Sequence, residues 1–141
     1  MGSSCDLFAK VIPVEYIYST LAHCSNYEEN KYLFQSKNPE RIYNLRKFLP
    51  EKVVLGTTIE TNRIYPEMGD APPPRDRAWA MFKLQIEEYQ TMITVEPIID
   101  FDGVLSVFTE FHFSLASFFD ISHVRFKGAA GASFFVVQLF L

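Results

Sequence analysis

The chain is short of cysteine, glycine and histidine, and it has no long apolar run. Its two cysteines, Cys5 and Cys24, form no Cys-x-x-Cys pair, which excludes a disulfide framework and a cysteine-only metal knuckle. Its three histidines, His23, His112 and His123, show no ligand spacing, so a histidine-based metal site is not expected. Lysine and arginine are scattered apart from the short Arg41, Arg46, Lys47 face, and the formal charge is −4. That balance leaves no electrostatic footprint for nucleic acid. The apolar end from Ala129 to Leu141 falls short of the roughly 20 residues a spanning helix needs, so no membrane span is expected. The opening Met1 to Asp6 has neither a basic nor an apolar leader region, which predicts a cytoplasmic protein with reduced thiols.

What the chain has instead is three short apolar runs that each end in polar residues. They are Tyr32 to Asn38, Val53 to Glu60, and Met92 to Asp100. A strand covered on both faces reads as a continuous apolar run, as parallel sheets flanked by helices require. The segments between them read as helices. Pro13 opens the first, with Val14, Ile17, Tyr18 and Leu21 on one face to Cys24. Asn38 as N-cap and Pro39 at the first position open the second, which buries Ile42, Leu45 and Phe48 or Leu49 before Pro50 stops it. After a long loop, Thr61 to Pro74, a third helix spans about Arg75 to Gln90 with Trp79, Phe82, Ile86 and Tyr89 on its apolar face.

The expected fold class is therefore α/β, with parallel strands joined by helices. At 141 residues the chain is too short for a complete eight-stranded barrel, which takes about 250. From Gly103 onward the character changes. Phenylalanines crowd a stretch with only four charged side chains, Glu110, Asp120, Arg125 and Lys127. Val104 to Phe113 reads as the start of a helix and Ser133 to Leu141 as a strand. The division is thus 1–102 for the strand–helix region and 103–141 for a divergent apolar segment.

In such folds ligands bind at the carboxyl ends of the strands. Glu60 and Glu96 end two of the runs, and a facing pair of carboxylates could do acid–base work or hold a cation. The plainer account is that each neutralises a neighbouring lysine or arginine. Lys37 ends the first run, where it would meet an anionic group, cap a helix or pair with a glutamate. Thr57 and Thr58 offer hydroxyls, although threonine is also simply a good strand residue. Arg77 sits in the first turn of its helix, where the dipole disfavours a cation and an anionic partner is the more natural complement. No residue is assigned as catalytic, and Cys5 beside Asp6 makes no nucleophile without a histidine.

Five motifs taken in order carry a resemblance. They are Gly2-Ser3-Ser4-Cys5-Asp6-Leu7-Phe8, Phe34-Gln35-Ser36-Lys37-Asn38-Pro39-Glu40-Arg41, Leu55-Gly56-Thr57-Thr58-Ile59-Glu60-Thr61-Asn62-Arg63, Ala71-Pro72-Pro73-Pro74-Arg75-Asp76-Arg77 and Thr94-Val95-Glu96-Pro97-Ile98-Ile99-Asp100-Phe101-Asp102. Over residues 1–102 the chain resembles the radical S-adenosylmethionine superfamily. The branch is one of phage-associated proteins of unknown function, related in pattern to spore photoproduct lyase. The resemblance implies a partial (β/α) barrel fragment, incomplete at the N-terminus and divergent at the C-terminus. It implies S-adenosylmethionine and a [4Fe–4S] cluster as cofactors, with the cluster supplying the radical chemistry.

By the same resemblance Ser4 and Asp6 would meet the methionine amino group, and Lys37 would stand at the next strand end. Thr57 and Thr58 would hold the ribose, with Glu60 on the same rim. Arg77 would face the cofactor carboxylate, and Glu96 with Ile98 would lie near adenine. The family's three-cysteine cluster motif is missing, so no cluster is expected on this chain alone. The expected role is a fragment of a radical S-adenosylmethionine-type protein, inactive by itself. The alternatives are a cluster-free barrel enzyme using Glu60 and Glu96, and a non-catalytic interaction remnant. The expected partner is a complementary upstream polypeptide or a second copy of the chain.

Overall fold

A computed structural model of the chain describes residues 5–61, 63–95 and 137–140. Three strand-and-helix units run in order. Helix α1, Val14–Ser25, precedes strand β1, Tyr32–Gln35. Helix α2, Pro39–Asn44, leads to β2, Val53–Thr58, and helix α3, Pro74–Ile86, leads to β3, Gln90–Val95. Strand β4, Val137–Phe140, completes a four-stranded sheet of order β1-β2-β3-β4. The first three strands are parallel, with Tyr32 opposite Val53 and Val54 opposite Gln90. Strand β4 runs antiparallel to β3, with Val95 opposite Val137. The chain is thus a mixed α/β fold with a three-stranded parallel sheet, and the expected strand near the carboxyl end is present. The expected helix from Val104 lies outside the described residues, as does the boundary at 102 and 103.

All three helices contribute to one core on one face of the sheet. Ile17 and Leu21 of α1, Ile42 of α2, and Met81 and Leu84 of α3 meet Val53 and Leu55 of β2, with Phe8 and Leu45 alongside. Leucine and isoleucine at helical spacing form these faces because only one stripe of each helix can reach the sheet. Strand β2 is buried along Val53 to Thr57, as its continuous apolar run predicts for a central strand. The first run departs from that expectation. Tyr32 and Phe34 are half-buried while Leu33 and Gln35 are exposed, because β1 is the outer strand.

Helix α3 corrects the sequence reading twice. Its buried residues are Pro74, Arg77, Ala78, Ala80, Met81 and Leu84, whereas Trp79 is 53% and Ile86 64% exposed. The alanines face the sheet and Trp79 is turned outward, while Phe82 is half-buried and Tyr89, just past the helix, packs against the core as expected. The helix also stops at Ile86 rather than Gln90. Glu88 takes φ +65°, its N–H donates to Gln85 O and the Tyr89 N–H donates to Leu84 O. That is a Schellman ending with glutamate where glycine usually sits, so nothing in the sequence marked the stop. Of the two residues expected to close the apolar face of α2, Leu49 packs against the core, whereas Phe48 is exposed at the end of a short 3₁₀ turn, Arg46–Phe48, where its ring meets Tyr18 edge-on.

Candidate functional site at the strand ends

The carboxyl ends of β1 and β2 bring Lys37, Glu60 and Arg77 together. Glu60 follows β2 by two residues and is 2% exposed, and Arg77 on the first turn of α3 is fully buried. The Lys37 ammonium, 49% exposed, pairs with Glu60 Oε1. Arg77 Nη1 lies 2.9 Å from Glu60 Oε2 and donates to the Thr58 carbonyl at 2.6 Å. Glu60 Oε2 makes no hydrogen bond among the described residues despite that approach, so the contact with Arg77 is ionic without hydrogen-bond alignment. Glu60 thereby spends one oxygen on each cation, which is the charge-neutralising arrangement rather than that of an unpaired acid or base.

Arg77 is incompletely satisfied. Its Nε and Nη2 are buried and have no hydrogen-bond partner among the described residues. A guanidinium carries five N–H donors in a planar fork that matches a carboxylate bidentately. Leaving such donors unpaired in a buried place is costly, so these positions ask for an acceptor. Two cations against one carboxylate leave the three side chains with a net positive charge, which favours an anionic one.

Asp6 lies at the same end of the sheet, and its carboxylate accepts three hydrogen bonds. Oδ1 takes the Phe8 N–H at 2.9 Å, and Oδ2 takes the Ser36 hydroxyl at 3.0 Å and the Lys37 N–H at 2.9 Å. The motif Ser36-Lys37-Asn38-Pro39-Glu40-Arg41 holds the loop that follows Asp6. Asn38 Nδ2 donates to Phe8 O at 3.2 Å, and the Arg41 guanidinium donates to the carbonyls of Ala9 and, at 2.7 Å, Ile12. Asn38 therefore occupies the cap position of α2 without a side-chain capping bond, contrary to expectation. Its amide is used on the loop, and the Ser36 hydroxyl accepts the Asn38 N–H at 2.8 Å instead.

The two threonines divide their work. Thr57 faces the helices, is fully buried and donates to Ser36 O at 2.7 Å, tying β2 to the end of β1. Thr58 points to the other face, where its hydroxyl shares a hydrogen bond of 3.1 Å with Thr94. Gln35 Nε2 donates to both, at 3.1 Å to Thr58 and 2.7 Å to Thr94. Gly56 stands behind this polar row, where an added Cβ would come within 3.3 Å of the Met92 methyl and 3.5 Å of Gln35.

The structure therefore places Asp6, Lys37, Thr57, Thr58, Glu60 and Arg77 at one end of the sheet. It brings Lys37, Glu60 and Arg77 into contact, and it turns Thr57 away from Thr58. Ser4 and Glu96 lie outside the described residues. Gln35, Ser36, Asn38, Arg41 and Thr94 stand in the quoted motifs, but the sequence reading gave none of them a place in the site. The one available signal was alternation, which puts Gln35, Thr58 and Thr94 on the same face. Among the described residues no group of three or more histidine, cysteine or carboxylate side chains could hold a metal ion. No described helix is long and apolar enough to cross a membrane. No protein-family model, curated protein or solved structure matches the chain.

Proposed function

We propose that this chain carries part of an S-adenosylmethionine-binding rim of the radical S-adenosylmethionine type. It would belong to a partial (β/α) barrel and be inactive alone. The observation that carries the reading is Arg77, fully buried at the strand ends with Nε and Nη2 unpartnered beside an ion-paired Glu60. The parallel order β1-β2-β3 and the five motifs of the sequence support it.

The residues fit the amino-acid end of that cofactor. Arg77 would receive the carboxylate through its two unpaired donors, Lys37 would add a second cation from the solvent side, and Glu60 would balance both. Thr58, half-buried and on the face away from the helices, would meet a ribose only through the hydroxyl network it shares with Thr94 and Gln35. Thr57 is committed to the sheet. The iron–sulfur cluster does not fit this chain. A site-differentiated [4Fe–4S] cluster needs three thiolates, whereas this sequence has two cysteines, with Cys5 exposed and Cys24 buried on α1. No step through a cluster is assigned to these residues.

Titration calorimetry of the whole chain with S-adenosylmethionine, S-adenosylhomocysteine and adenosine tests the reading. Weak binding of the first two, reduced about tenfold by Lys37→Ala with the fold intact, is expected from loss of one charge-assisted contact. A folded chain that binds neither would end the proposal. Anaerobic reconstitution with iron and sulfide should leave the isolated chain without cluster absorbance, and a stable [4Fe–4S] spectrum would contradict the cysteine argument.

A further inference from the structure

Among the described residues strand β1 is the outer strand of the sheet, and its backbone offers an unpaired edge. The Tyr32 N–H donates to Lys52 O and the Ser36 N–H to Gly56 O, both at 2.9 Å, so the even-numbered residues of β1 bond toward β2. Alternation turns the N–H and C=O groups of Lys31, Leu33 and Gln35 the other way. No described strand pairs with that side. Proteins usually blunt such edges with proline, bulges or charges on the strand itself. Tyr32 to Gln35 has none of these, and Leu33 is 55% exposed on it.

We infer that two copies of this chain associate by antiparallel pairing of β1 with β1, with Leu33 on the two-fold axis. This goes beyond the proposed cofactor rim, since it needs only the sheet edge and stands whether or not S-adenosylmethionine binds. Antiparallel pairing of one edge with itself is isologous and closes at a dimer. Charge selects the register. Centring the axis on Leu33 sets Leu33 against the partner's Leu33 and Tyr32 against the partner's Phe34. It sets Lys31 against the partner's Gln35. Centring it on Phe34 instead would oppose Lys31 to the partner's Lys37, and like charges directly opposite destabilise a pair. The favoured register pairs aliphatic with aliphatic on the exposed face and aromatic with aromatic on the helix face. Tyr32 and Phe34 already lie parallel there, with ring centroids 6.2 Å apart.

A strand this short buries less than the roughly 1,000 Å² of a stable interface, so the dimer is a weak, concentration-dependent one. Sedimentation velocity over a wide range of concentrations should show a reversible monomer–dimer equilibrium. Leu33→Lys, which sets two lysines face to face, should lower the association constant about tenfold or more. Because Leu33 is exposed, its circular dichroism and melting temperature should stay near those of the native chain. Amide exchange gives an independent readout. The Leu33 and Gln35 amides should gain protection as concentration rises, while Tyr32 and Phe34 are protected throughout. A strict monomer, association unchanged in Leu33→Lys, or a dimer whose Leu33 amide still exchanges freely would each overturn the inference. So would an edge that pairs only with a different, upstream polypeptide.

Discussion

Arg77 Nη1 stands 2.9 Å from Glu60 Oε2, and both side chains are closed off from solvent. Removing one partner of such a pair strands a buried charge, which costs about 3–5 kcal/mol, whereas removing both is much milder. Glu60→Gln should therefore destabilise the chain by about that amount in urea unfolding, and Glu60→Gln with Arg77→Met by distinctly less. Equal losses in the single and double variants would show that the pair does not hold this end of the sheet.

The loop after Asp6 is held by the Asn38 amide and the Arg41 guanidinium on its carbonyls. Arg41→Ala should free that loop while leaving the helices and sheet in place. The expected result is faster proteolytic cleavage between Asp6 and Ile12, with about 1.5–3 kcal/mol lost for charged hydrogen bonds. Unchanged cleavage there would refute the clamp.

Glu88 occupies the left-handed position that ends α3, with φ +65°. A residue with a Cβ is strained in that conformation and glycine is not. Glu88→Gly should raise stability by up to about 1 kcal/mol, an increase in the melting midpoint at an exposed site. A clear loss would mean that the Glu88 side chain holds something the backbone does not.

The two thiols should separate by reactivity. Cys5 is exposed, while burial raises the pKa of Cys24 on α1. The thiolate is the reacting form. In a thiol titration of the native protein near neutral pH, Cys5 should react promptly and Cys24 only slowly, the two becoming equal in denaturant. Equal rates in the folded state would contradict the packing of α1.

Glu87 supplies a pH dependence. Its hydrogen bond with Arg46, and the charge of that guanidinium 2.9 Å away, hold the Glu87 carboxyl below its ordinary value. A depressed carboxyl contributes stability above its unfolded pKa and loses it as the pH falls through the folded value. Acid unfolding of Glu87→Gln should lose part of that slope. The effect is small because the pair is exposed to solvent screening.

The sequence by itself determined the strand–helix order and the set of polar residues at the strand ends. Hydrophobic periodicity is local, and it showed α1, α2 and the β2 run closely because Ile17, Leu21, Ile42 and Leu55 each fall on one buried face. Asn38 and Pro39 opened α2 in view, although the Asn38 side chain works elsewhere. Tertiary structure alone decided which residues touch. Trp79 and Ile86 look like core by hydropathy, yet α3 turns its alanines and Met81 inward because close helix–sheet packing needs small side chains. Strand β1 reads as buried on both faces, but only its place at the sheet edge left Leu33 in solvent. Glu60 and Arg77 are seventeen positions apart along the chain, and no local pattern could pair them. Their contact exists because the parallel crossover returns α3 across the end of β2, and a buried carboxylate there is tolerable only beside a cation.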